Sequence, residues 1–475
     1  MITYAFLMFV ALASLLSFAN WRAGVVLWMV VAILQDPIRK VTPGTPIYLT
    51  VSFLPVYLAT FSSLLMSQNV VTSFRRDFAS LNRLFLAMIL MLLVSAAFGY
   101  VNSHKSVMAS MIGIGSYVGG LPAIYCGYVF LRKDYRRLDL LTLGFVLVTA
   151  IMLIGVPLEH FDVKFSRPWL GTIATEGKNY RWFNDFDRVA MVSGFHRSPE
   201  IMGWHAMAMV ICSFYLYLRR PTYAILWSAL ATWGCYGVFL SGRRKMLLML
   251  FVFAAVFLAF STLRNRRKIV KIMVLTALIL VPAIFYMVDD LYRMSLQSGV
   301  DTAGTKATEK LMLGPLWLAG IVGPFGYGVG TLTQGAQHYV KQLDIPLVEG
   351  GLEKVMVEVG LIGVFLVMLT AWQLLSSGRR SLKLGQKYLP AEVAPAFCFA
   401  YIAANLAAFL IAFQFLGDPF IGTFLGLFIG MLLSTGRLAQ ARQAGQQAVP
   451  LASAFPDEVS VGVPLLLASH GIDRK

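Results

Sequence analysis

Apolar runs of about twenty residues recur along nearly the whole chain, and they leave little choice of architecture. A hydrocarbon layer about 30 Å thick is crossed by ~20 apolar residues in a helix. Inside that layer every backbone N–H and C=O has to be bonded within the protein, a condition that only helices and closed barrels meet. Candidate spans are 2–19, 22–37, 46–67, 82–101, 108–131, 138–157, 199–218, 222–240, 245–263, 269–288, 355–376, 392–413 and 416–436, thirteen in all. The first two are short, and twelve spans result if they form one hairpin that does not fully cross. The expected fold class is all-α: a polytopic membrane bundle of 12–13 transmembrane helices.

Composition excludes the ordinary soluble classes. Only 13% of the 475 residues are charged, against roughly a quarter in a soluble domain. The net charge of +17 would suit a nucleic-acid partner, but the Lys and Arg lie in short links between apolar runs, so no nucleic acid is expected. Cys126, Cys212, Cys235 and Cys398 all fall inside apolar runs and read as small buried residues without disulfides. No basic n-region or small-residue cleavage pattern accompanies the first run, which reads as a retained helix.

The basic links set an orientation. They hold Arg75, Arg76 and Arg83, then Arg132, Lys133, Arg136 and Arg137, then Arg219 and Arg220, then Arg264, Arg266, Arg267 and Lys268, then Arg379, Arg380, Lys383 and Lys387. With the spans above, all five links fall on one side, and short basic links stay cytoplasmic. Two long loops, about 158–198 and 289–354, then face outward, toward the periplasm of a bacterium. Residues 1–437 form the membrane domain, and 438–475 a cytoplasmic tail with little structure of its own. Gly422, Gly426 and Gly430, like Gly115 and Gly119, have the four-residue spacing that lets helices approach closely in lipid.

Outward-facing charge is where a function is expected. The first long loop carries Lys164, Arg167, Lys178, Arg181, Arg188 and Arg197, and it runs directly into a helix through GFHRSPE. There Ser198 suits an N-cap, Pro199 the first helical turn, and Glu200 the positive end of the helix dipole. SGRRK at 241–245 is a hairpin tip on the same side, against the positive-inside tendency. Arg243 and Arg244 there either snorkel to the interface or hold an anion, since a guanidinium fork matches phosphate oxygens two at a time.

The second long loop is harder to reconcile with lipid. The stretch from Thr305 to Val322, broken by Pro315 and then Pro324, reads as a helix lying along the outer leaflet. Gly323 to Gly363 follows, a glycine-rich and polar segment that needs either to leave the lipid or to line a cavity. Gly326, Gly328 and Gly330 lack the strand-then-helix context of a phosphate loop and read as a tight re-entry. His338, Glu349, Glu353 and Glu358 are the acid–base candidates. Glu353 heads a helix and suits its dipole, whereas Glu358, a turn further in, requires a partner.

Taken in order, G-x-x-x-S-P-E (194–200), S-G-R-R (241–244), F-G-Y-G-V-G (325–330), a polar loop and E-x-G-x-x-G (358–363) resemble the O-antigen ligase and O-antigen polymerase superfamily of bacterial membrane glycosyltransferases. The resemblance covers about residues 180–375 in motif order. It implies a glycosyltransferase C-type bundle acting at the periplasmic face of the inner membrane. Such an enzyme moves a glycan from an undecaprenyl-diphosphate carrier to a glycan or glycolipid acceptor, beside polysaccharide-assembly proteins and the lipid bilayer, with no metal or other cofactor. Arg243 matches the arginine of the family's S-R-G motif with reversed local order, and Arg188 the arginine before its N-P-N motif, here Ser198-Pro199-Glu200. Arg197 and Arg244 join them as diphosphate-binding candidates, with Glu200 and Glu358 in support. The ligases place a His nine residues before the Glu of E-x-G-x-x-G; here that position holds Glu349. Either Glu349 or His338 is then the expected general base.

A transporter or flippase for a lipid-linked or anionic solute is the alternative. It predicts broken helices with charge near the bilayer midplane. A structural scaffold would have no use for outward arginines.

Overall fold

The computed structural model describes residues 1–103, 105–131, 135–163, 168–173, 179–182, 188–261, 266–267, 270–271, 314–333, 336, 339, 348, 350–389, 392–412 and 414–452. The described chain is helical apart from one small hairpin. In chain order it forms α1 (Ile2–Ala19), α2 (Trp21–Val41), a 3-10 turn (Ile47–Val51), α3 (Leu54–Ser67), α4 (Val70–Asp77), α5 (Ala79–Asn102), α6 (Val107–Val118), α7 (Gly120–Phe130), α8 (Arg136–Met152) and α9 (Gly155–His160). The hairpin follows, β1 (Asn179–Trp182) antiparallel to β2 (Arg188–Met191). Then come α10 (Pro199–Arg219), α11 (Ala224–Leu240), α12 (Arg244–Phe260), α13 (Gly314–Ile321), α14 (Gly351–Tyr388), α15 (Ala394–Ile411), α16 (Gln414–Gly417) and α17 (Pro419–Ala452).

Eleven described segments are long and apolar enough to cross a membrane, and Lys245–Phe260 is a shorter apolar helix. This is the architecture of a multi-pass membrane protein. The expected span 269–288 lies outside the described residues, apart from positions 270–271. The first two apolar runs form separate helices of 18 and 21 residues, each long and apolar enough to span. Three expected spans are interrupted: 46–67 opens with the 3-10 turn, 108–131 divides at Gly119, and 138–157 divides between Met152 and Gly155. Of the stretch read as lying along the outer leaflet, Gly314–Ile321 is helical, and its Leu318 packs with Met356 and Val357 of α14.

Burial separates a central layer from a lipid-facing one. In α17, 94% of the spanning window is buried, against 22% in α1. The outward faces of peripheral helices present Leu86, Leu90, Phe365 and Trp372, as expected where the surroundings are as apolar as the core. The tightest contact joins α7 to α17. A Cβ built on Gly127 would lie 2.1 Å from the Leu427 carbonyl oxygen, and one on Gly430 2.1 Å from that of Ile124. Backbone meets backbone there, which is why the spacing of Gly422, Gly426 and Gly430 matters. Gly115 and Gly119 do not work this way: a Cβ on Gly115 meets nothing within 4 Å, and one on Gly119 only its own helix. The small residue that counts in α6 is Gly113, whose Cβ would fall 2.4 Å from the Gly330 nitrogen.

Ion pairs gather at the two ends of the bundle. At one end Arg197 binds Asp36 and Asp418, and Arg243 binds Glu200. At the other, Arg219 binds Asp139 at 3.3 Å and Glu392 at 2.7 Å, while Asp77 meets Tyr128 and Arg437. The four cysteines are buried and free.

Candidate functional site

The Arg197 end is built around the turn that leads into α10. Gly194 adopts φ +57°, the left-handed region. The Glu159 carboxylate accepts the N–H groups of Gly171 (3.1 Å), Ser193 (3.2 Å) and Gly194 (2.7 Å). Lys40 Nζ donates to the carbonyls of Gly194 (2.8 Å) and His196 (2.6 Å). Ser198 Oγ accepts from Ile201 N at 3.4 Å, the N-cap its position predicts. Arg197 is the knot of the turn: its N–H reaches Asp36 at 3.1 Å, and its guanidinium lies between Asp36 and Asp418. Burial would lower the charged form of Arg197, but the carboxylates of Asp418 and Asp36 outweigh it and raise its pKa. Asp418 in turn accepts from Phe420 N and Ile421 N at the start of α17. Arg197 thus ties α2, α10 and α17 together, with one guanidinium between two carboxylates.

His196 is buried in the same turn, and its ring stacks on His205 at 4.5 Å. Among the described residues neither ring nitrogen of His196 has a partner, and His205 Nε2 has none either. Burial, helped by His205, Lys40 and Arg197, holds the His196 pKa well below its ordinary value. The neutral ring is favoured in the fold.

The α11–α12 tip stands beside this turn. Val192 N donates to Leu240 O at 3.0 Å, which extends the line of β2 to the end of α11. Gly242 takes φ +63°, and a Cβ there would lie 3.0 Å from Met191. Arg243 N donates to Ser241 Oγ at 3.2 Å, fixing the start of the side chain. Its Nη2 pairs with Glu200, with the two side chains 24% and 27% exposed, while its Nε is buried without a partner. This is the one pair of expected site residues that the described structure brings together. Arg188 opens β2 opposite Trp182, and Arg244 opens α12. His338 and Glu349 lie outside the described residues.

The glycine-rich segment does re-enter the bundle. Gly326, Gly328 and Gly330 have φ of +70°, +105° and +96°, and the turn they form packs on α5, α6 and α14. A Cβ on Gly328 would sit 2.2 Å from Gly99 Cα, and one on Gly330 2.1 Å from the Ala109 oxygen. At the same level α14 breaks, with Gly360 at φ 74°, ψ −172°. A break leaves helical carbonyls without partners, which lipid cannot supply. Here Tyr327 N donates to Val357 O at 2.7 Å and Ser95 Oγ to Glu358 O at 2.7 Å. The Glu358 carboxylate accepts from Tyr117 Oη (2.9 Å), Leu332 N (2.8 Å), Thr333 Oγ1 (2.9 Å) and Lys354 Nζ (3.3 Å). Lys354 and Glu358 are both 0% exposed. Ser95 lies seven residues inside α5 from Asn102, and Tyr117 ten residues inside α6 from Val107, so the cluster sits roughly 10–15 Å below those helix ends at about 1.5 Å per residue. Glu353, one turn earlier, accepts from Gly350 N at 2.9 Å and caps its own helix.

Sequence reasoning missed Lys354, Tyr117 and Ser95 around Glu358, and Asp36, Asp418, Lys40 and Glu159 around the α10 turn. The signal was available for several of them: an ionisable residue within an apolar run demands a partner, and Lys354 precedes Glu358 by one helical turn. Among the described residues no group of three or more His, Cys, Asp or Glu side chains forms a metal site. No protein-family model matches the chain, and no curated protein matches it.

Proposed function

We propose that the protein is a membrane glycosyltransferase that transfers or polymerises a glycan from an undecaprenyl-diphosphate-linked donor onto an acceptor hydroxyl. The work is done at the periplasmic face of the inner membrane, in surface or exopolysaccharide assembly. The Arg197 end is the outward one, because the basic links belong to the opposite end of the span alternation. One observation carries the reading: Arg243 stands at the α11–α12 hairpin tip, paired with the partly exposed Glu200 carboxylate and, among the described residues, with its Nε unpartnered. A diphosphate leaving group develops charge as its bond to the sugar breaks, and a preplaced guanidinium stabilises that charge. The acceptor oxygen attacks the anomeric carbon, the sugar–diphosphate bond breaks, and the hydroxyl proton passes to Glu349 or His338 as general base.

The break at Gly360 favours the transporter or flippase alternative, since unwound helices at depth mark solute sites in transporters. Against it, Val357 O, Glu358 O and the Glu358 carboxylate all have partners within the chain and are not left for a solute. Arg243→Ala tests the two. Loss of glycan transfer in membranes that hold normal amounts of inserted protein is expected. Wild-type polymer or glycolipid from that variant would overturn the assignment. Donor translocation by the purified protein in vesicles, with no transfer to acceptor, would establish the alternative.

A further inference from the structure

We infer that Glu200 is a built-in competitor for the anion site at Arg243: a ligand diphosphate takes the guanidinium by displacing the Glu200 carboxylate. This rests on the proposed diphosphate role of Arg243. Glu200 holds one nitrogen of the fork, Nη2, while Nε, the other donor of a two-point contact, lies buried with no partner. A buried donor left unbonded is costly, so the resting guanidinium is not in its best-satisfied arrangement. The carboxylate that holds it is weakly bound as well. Pairs this close to the surface are weakened by solvent and contribute little.

Glu200 also loses little when it is displaced. It lies in the first turn of α10, where the helix dipole favours a negative charge, and Ser198 provides the cap independently. The tip itself is already fixed by Ser241 Oγ on Arg243 N and by the close approach of Gly203 to Ser241. The exchange therefore needs only side-chain rotation. A diphosphate presents several oxygens to one fork and can satisfy Nε and Nη2 together, which a carboxylate bound through one nitrogen does not. Ligands of one negative charge gain less from the exchange, so Glu200 selects for polyanionic headgroups.

The test is binding of inorganic pyrophosphate to the purified full-length protein in detergent, by titration calorimetry, for wild type, Glu200→Gln, Glu200→Asp, Arg243→Ala and the Glu200→Gln/Arg243→Ala double variant. Glu200→Gln should bind tighter than wild type by up to about fivefold, the factor that loss of a ~1 kcal/mol competitor converts to. Glu200→Asp keeps the charge near the dipole but draws it back from Arg243, and should fall between them. Both variants lacking Arg243 should not bind. Glu200→Gln and Glu200→Asp binding as wild type or more weakly, while Arg243→Ala still abolishes binding, would overturn the competitor and leave the Arg243 site standing. Undiminished binding in Arg243→Ala, or none in any protein, would overturn both.

Discussion

Two ion pairs in this protein differ in how fully their charges are satisfied. Lys354–Glu358 is 0% exposed, and the carboxylate has four donors around it. Arg243–Glu200 is about a quarter exposed and leaves Arg243 Nε without a partner. The first holds a broken helix and a re-entrant turn in one place. The second is held loosely at the α11–α12 tip. Charge that a membrane protein has fully satisfied is structure; charge left partly unsatisfied near the surface is available to a ligand.

The contrast can be broken in order of expected effect. Glu358→Leu takes the paired carboxylate away from the buried Lys354 ammonium and should cost about 3–5 kcal/mol. The Lys354→Met/Glu358→Leu double variant should recover most of that in denaturant titrations. If the double variant is as unstable as the single one, the pair itself is not what sets the cost. Gly330→Ala comes next. It places a Cβ against the Ala109 carbonyl at positive φ, and a loss of about 2–4 kcal/mol is expected. Wild-type stability there would mean that the turn does not seat in the bundle as described.

His196 lies between the two extremes, buried like the first pair and unsatisfied like the second. Its neutral form is favoured in the fold, so its contribution is present above about pH 6.5, the unfolded value, and is lost as pH falls below it. Thermal unfolding of wild type at pH 8, 6.5 and 5 should show an acid loss of up to ~1.4 kcal/mol per pH unit from this group, and His196→Gln should remove that part of the slope. Equal slopes in the two proteins would show that the ring titrates as freely in the fold as out of it. The smallest effect on stability is expected at the tip. Arg243→Ala should shift stability by less than about 1 kcal/mol and still abolish transfer, and a large unfolding shift would make Arg243 a structural residue like Arg197.

The spans were legible because hydropathy and length act locally, and the basic links because topology depends on their count. Ser198 and Glu353 were legible for the same reason, since a cap depends on residues within one turn. Interruptions at Gly119 and Gly360 were not, because they depend on neighbours far away in sequence: the Gly326 turn fits against Gly360 only when the two are folded together. The partners of Arg197 are similarly distant, one on α2 and one just before α17. Nothing within a window around Arg197 separates it from Arg243, yet one guanidinium lies between two carboxylates and the other keeps an unbonded nitrogen.

The ion pairs at the two ends also make the bundle a gauge of membrane thickness. Between Ser198 and Arg219 runs a helix of 21 residues, about 32 Å at 1.5 Å per residue, close to the ~30 Å hydrocarbon layer of an ordinary bilayer. In a layer several ångströms thicker, the helices have few residues to spare, and mismatch is met by thinning the lipid or by flanking side chains reaching for the interface. An anionic headgroup would then stand above the α11–α12 tip rather than level with it. Lipid chain length would thus tune how readily Arg243 meets a membrane-borne ligand, without a change in any residue.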